Sequence, residues 1–141
     1  MKLILSSVIL MLCFTFSNAQ DVVGIWKTID DNTGEAKSHI EIFKKGGKVY
    51  GKIIKILNPE ARDRVCSECE GEDKNIKILG MNIIKGLERD GNEYSGGTIT
   101  DPENGKIYKS KIWLTEDNPN RLKVRGYVAF LYRTQEWIRL E

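Results

Sequence analysis

Cys66 and Cys69, in the stretch "CSEC", are the most reactive closely spaced pair in the sequence. A C-x-x-C pair can exchange disulfides, supply half of a zinc site, or close on itself. A thioredoxin-like redox pair sits beside a βαβ pattern, and nothing around these two cysteines reads that way. A structural zinc site takes four ligands, mostly Cys and His. His39 is the single histidine, and Glu68, Glu70, Glu72 and Asp73 are poor substitutes in a closed site. A local disulfide needs only an oxidising compartment. It is therefore the expected reading, pinning the loop that holds it, while metal binding by the two thiolates stays open.

No other constellation specifies a reaction. His39 cannot be placed in a Ser/His/Asp order with any specificity. The carboxylates are scattered through turn-like segments, so no glycosidase pair stands out. "KGGK" and "SGGT" lack the Gly-Lys-Ser/Thr that completes a phosphate-binding loop. "DDNTGE" starts like a calcium loop, but Gly34 stands where a third oxygen ligand is needed and Glu35 where Gly is needed. The sequence thus points away from an enzyme and specifies no cofactor and no metal.

The elements that must position these residues are strands. "KSHIEIFKK" puts Ile40 and Ile42 on one face, with His39, Glu41 and Phe43 on the other. "RLKVRGYVAFLY" alternates Leu122, Val124, Gly126 and Val128 with Arg121, Lys123, Arg125 and Tyr127. "VVGIWKTI", "KVYGKIIKIL", "EYSGGTIT", "KIYKSKIWLTED" and "TQEWIRLE" have the same β-branched and aromatic character. "IKILGMNIIKGLERD" is less regular, and Gly80 and Gly86 favour a bent strand pair over a short helix. Turn chemistry separates the runs, with Asp-Gly in "RDGNE" and Asn-Gly in "DPENGK" as hairpin signals. About eight antiparallel strands joined by neighbouring hairpins predict an all-β fold, a small up-and-down β-barrel, since closure removes exposed edges. A two-sheet sandwich is the alternative. One long polar segment, Asn58 to Asn75, carries both cysteines and reads as a functional or stapled loop.

The first residues have a different character. Lys2, an apolar run from Leu3 to Phe16, and small residues Ser17 and Ala19 form the pattern of a secretory signal, cleaved after Ala19. The run is too short to span a bilayer. Leu12 before Cys13 does not suit a lipoprotein signal. The expected organisation is a signal peptide at 1–19 and one β-barrel domain at 20–141, periplasmic or secreted and not membrane-spanning. The whole-chain net charge of +2 falls by one without Lys2. That near balance, with export, argues against nucleic acid as a partner.

Gly24-Ile25-Trp26 on the first strand, with a late cation on the last, resembles the calycin group of lipocalins, fatty-acid-binding proteins and avidins. In that group the Trp plugs the closed barrel end beneath an Arg or Lys. The resemblance implies that role for Gly24, Trp26 and Arg139. The stretches "GIWKTIDDNTGEAKSHIEIF", "GGKVYGKIIKI", "CSEC", "ILGMNIIKGL", "YSGGTITDPENGKIYKSKI" and "LKVRGYV...RTQEWIR" together resemble the secreted bacterial family catalogued as domain of unknown function 2147. That likeness implies a β fold outside the cytoplasm and brings no reaction. One departure is Ala129-Phe130-Leu131-Tyr132, where a turn richer in glycine is expected.

The expected function is binding of a small ligand or envelope component in the barrel, with Tyr108, Arg125, Tyr127 and Trp137 as lining candidates. Arg125 and Tyr127 are not both expected to point inward. The competing reading is a structural or interaction module of the envelope, with a packed interior, that presents its cysteine-bearing loop to a partner.

Overall fold

Alternation of β-branched and polar residues drives the chain into eight strands. These are β1 (Gly24–Ile29), β2 (Ala36–Lys45), β3 (Lys48–Ile56), β4 (Asn82–Asp90), β5 (Glu93–Thr100), β6 (Ile107–Leu114), β7 (Arg121–Val128) and β8 (Leu131–Arg139). The computed structural model describes residues 21–141; the leader and its cleavage after Ala19 lie outside the described residues. Each strand pairs antiparallel with the next and β8 pairs with β1, so the sheet closes into a barrel.

The closure is uneven. β7 and β8 share eight aligned pairs, from Arg121↔Ile138 to Val128↔Leu131. β1 and β8 share only Trp26↔Arg139 and Lys27↔Ile138. One end of the barrel gathers Gly24, the β2–β3 and β4–β5 hairpins and the chain after Arg139. The other gathers the β1–β2, β5–β6 and β7–β8 turns with the long connection from β3 to β4. Beyond Lys27 and Ile138, toward this second end, β1 and β8 part.

Inward-pointing side chains fill the first end. Trp26, Ile40, Ile42, Val49, Leu87, Ile112, Leu122 and Trp137 are all essentially without solvent contact. Burying an aliphatic or aromatic side chain of this kind stabilises by about 1.5–3 kcal/mol, so this half is the structural anchor. The irregular stretch 76–81 is not a strand partner for β4, contrary to the bent strand pair expected. Gly80 N–H donates to Ile53 O, Ile53 N–H donates to Met81 O, and Ile78 N–H donates to Arg64 O. Ile78 and Met81 are buried, so this stretch belongs to a cap between β3 and β4.

Candidate functional site

The filled end is locked by three elements. The Trp26 indole N–H donates to Val22 O at 2.8 Å. The Arg139 guanidinium carbon lies 4.3 Å from the centroid of the Trp26 ring. Arg139 also donates to Asp21 O at 2.6 Å and to Val23 O at 3.1 Å. Burial pulls the Arg139 pKa down, against the opposing pull of Asp21. Gly24 has φ +146°, and a Cβ there would lie 2.3 Å from Glu141 O and 2.8 Å from the Arg139 guanidinium. The residue before Ile25-Trp26 must therefore be glycine for the last strand to close over the first.

The Asp21 carboxylate anchors the same segment. It accepts from Tyr94 O–H and from Val22 N–H, each at 2.7 Å, and pairs with Lys44. Burial raises its pKa, but the bonds from Lys44, Tyr94 and Val22 outweigh burial and hold it below the ordinary 3.8. The Tyr94 pKa rises through burial and through Asp21.

Toward the other end the interior changes character. Register places Thr28 opposite Ser38, Tyr108 opposite Ile99, Ser110 between Gly97 and Gly126, and Gln135 opposite Val124. By strand alternation these share the inner face with Trp26, Ile40, Ile112 and Trp137. Thr28 and Ser38 hydroxyls lie 2.8 Å apart. The Trp137 indole N–H donates to Gln135 Oε1 at 3.3 Å. Ser110 is 3 % exposed and its hydroxyl has no partner. Glycines on both flanks keep neighbouring β-carbons away from that hydroxyl. Thr28, Ser38, Tyr108 and Gln135 keep partial exposure although they point inward, so solvent reaches this half of the interior. Arg133, on the same face of β8, reaches the β1–β2 turn and pairs with Asp31 at the rim.

The long connection folds over the rim. Cys66 and Cys69 form a disulfide, the local pairing among the three readings of "CSEC", and both are buried in the same apolar cluster as Ile78, Met81 and the barrel interior. Two short 3-10 turns, Pro59–Ala61 and Gly71–Asp73, shape the connection. Lys85 on β4 ties down the second turn through Asp73 at 2.6 Å and Glu72 at 3.3 Å. On the far side, the β5–β6 turn presents Gly105 (φ +71°), where a Cβ would stand 2.1 Å from Glu68 O. The cysteine loop is therefore a docked cap.

The four lining candidates do not come together. Tyr108 and Trp137 point inward, Trp137 in the packed half at 1 % exposure. Arg125 and Tyr127 are two residues apart on β7, so both share its outer face with Arg121 and Lys123. There Arg125 stacks on Tyr132 at 4.2 Å and Trp113 at 4.9 Å, and donates to Thr134 Oγ1 at 2.8 Å. His39 sits on the outer face of β2, opposite Lys27 and Lys55. Its pKa is lowered by partial burial, then by those two lysines. Two surface clefts are of ligand size. One of about 640 Å³ lies between Asp90, Glu93, Trp113 and Glu116, and one of about 350 Å³ between Tyr50, Asp73, Met81, Asn82 and Lys85. Neither includes the four candidates.

Thr28, Ser38, Ser110 and Gln135 escaped sequence reading. Their signal is the inward parity of small polar residues on strands whose other inward positions are apolar, and it needs the register to be seen.

The barrel is similar to the solved structure of protein HP1028 from the human pathogen Helicobacter pylori, described as belonging to the lipocalin family. The TM-score is 0.72 at 19% identity, covering 86% of this chain and 84% of that one. At that identity the likeness is one of fold. Residues 24–139 match a family described as an uncharacterized protein conserved in bacteria, DUF2147. No curated protein matches the sequence.

Proposed function

The chain belongs to the bacterial DUF2147 family, and we propose that it is an exported, non-enzymatic barrel that holds a small molecule in its polar half. The observation that carries this reading is Ser110. A buried hydroxyl without a partner is uncommon in folded proteins and costs about 1–3 kcal/mol. By strand alternation it shares the barrel's inner face with Thr28, Ser38, Tyr108 and Gln135. Hydroxyl, phenol and amide groups with aliphatic neighbours suit a neutral ligand bearing hydroxyl or amide groups. The way in is the rim where β1 and β8 part, beside the Arg133–Asp31 pair. Export is supported by the disulfide, which oxidising compartments favour, and by the leader pattern at 1–19. Among the described residues no helix is long and apolar enough to cross a membrane.

The test is a thermal-shift screen of polar small molecules on wild type and on Ser110→Ala with Gln135→Leu. A ligand at a hundred times its dissociation constant adds about 2.7 kcal/mol to wild-type stability. The expected result is a shift in wild type that the double variant loses. Ser110→Ala alone is expected to be neutral or stabilising without ligand, because it removes an unpaired hydroxyl. Shifts of equal size in both proteins would overturn the site. A flat screen against wild type would favour the packed interaction module.

A further inference from the structure

Five of the eleven large apolar side chains exposed among the described residues lie at one place: Ile107, Val128, Phe130, Leu131 and Tyr132. They surround the two-residue turn between β7 and β8. Val128 pairs with Leu131 across the turn, and Ile107 begins β6 two residues before Lys109, which pairs with Tyr127. Phe130 is 88 % exposed and contributes nothing to the core. Ala129 holds φ +51°, a left-handed conformation that favours Gly or Asn in a hairpin. The fold would accept polar or glycine-rich residues here, and the sequence has "VAFLY" instead. Contiguous exposed apolar side chains of this kind mark an interaction surface.

The tip is convex, so it cannot enclose a small molecule. Behind it the outer face of β6–β8 is layered. Tyr127 and Tyr132 come first, with ring centroids 5.9 Å apart. Lys109 is level with Tyr127; Arg125 and Lys111 follow, then Trp113 and Lys123. Beside the tip Asp31 is paired with Arg133 and Glu103 with Lys37, whereas Glu60, Glu68 and Glu70 of the cap at this end have no ion pair among the described residues. An exposed apolar tip backed by tyrosines level with Lys109, and then by Arg125 and Lys111, matches the side chains that a bilayer's acyl region, interface and phosphates accommodate.

We propose that the β7–β8 tip docks the barrel peripherally on an anionic lipid surface, Phe130 and Leu131 entering the interface while Lys109 and Arg125 meet headgroup phosphates; Lys111 is held by Glu93. The proposal stands apart from the luminal site: Lys109, Lys111 and Arg125 lie on the outer face, and Leu131, although it shares the parity of Arg133, is exposed at the tip beyond the lumen.

The test is co-sedimentation of the chain from Asp21, which contains all eight strands, with phosphatidylcholine vesicles with and without phosphatidylglycerol. Wild type should bind the phosphatidylglycerol vesicles more tightly, and added salt should weaken binding. Phe130→Ser with Leu131→Ser should lose at least about tenfold in affinity. Circular dichroism and an unchanged melting midpoint would show that this variant is folded. Lys109→Glu should abolish most of the preference for the anionic vesicles. Ser110→Ala with Gln135→Leu should bind vesicles as wild type does, which separates this surface from the luminal site. The proposal is overturned if wild type binds neither vesicle, or if the folded tip variant binds as well as wild type. It is also overturned if the tip instead mediates a concentration-dependent dimer in sedimentation velocity with no vesicle binding.

Discussion

Removing the Trp26–Arg139 lock should unmake the filled end of the barrel, and its energy can be apportioned. Trp26→Ala empties a fully buried site and leaves Val22 O without its indole donor. Truncations of this kind cost about 3–5 kcal/mol. Arg139→Met keeps an aliphatic stem over the ring but removes the charge and the bonds to Asp21, Val23 and Pro119 carbonyls. Water can recover part of those bonds because the group is only partly buried. The expected cost is about 2–3 kcal/mol, combining a cation–π contribution of about 0.5–2 with the net of the lost hydrogen bonds. In the double variant the stacking is lost once, so its cost should fall short of the sum by about 0.5–2 kcal/mol. Urea unfolding followed by far-ultraviolet circular dichroism measures all four proteins without relying on the indole. Costs that add within about 0.5 kcal/mol would refute the coupling, and with it the claim that the cation and the ring hold the barrel end together.

Gly105→Ala places a Cβ into Glu68 O and into an unfavourable backbone region, so it should cost about 2 kcal/mol or more. Hydrogen exchange should quicken in residues 64–78 ahead of the strands, and unaltered exchange would mean that the cap does not rest on this turn. Asp21 has a folded pKa below its ordinary 3.8, so its contribution is complete above the unfolded value and is lost as pH falls through the folded one. The stability gap between wild type and Asp21→Asn, measured by urea unfolding, should be constant above about pH 5 and shrink below the ordinary carboxylate range. A gap that widens on acidification would contradict the sign.

The strands were legible because alternation is a local signal: Ile40 and Ile42, or Leu122 and Val124, declare their face within a few residues. The disulfide was legible from the scarcity of other ligands around "CSEC". The outward direction of Arg125 and Tyr127 was also present, since both share parity with Arg121 and Lys123. Their pairing with Tyr108 and Trp137 as one mouth ignored that parity. The docking of Asn58–Asn75 as a cap was hidden, because its polar sequence reads as a solvated loop. Only the fold brings Glu68 against Gly105 and Asp73 against Lys85. The unpaired Ser110 was hidden for a similar reason, because its glycine neighbours come from two other strands.

Native mass spectrometry of the protein purified from its own source tests the luminal site most directly. Wild type should carry a small molecule, released on unfolding, and Ser110→Ala with Gln135→Leu should fly at its bare mass. Bare mass for wild type under conditions that preserve the fold, or the same adduct on both proteins, would contradict a ligand held at Ser110.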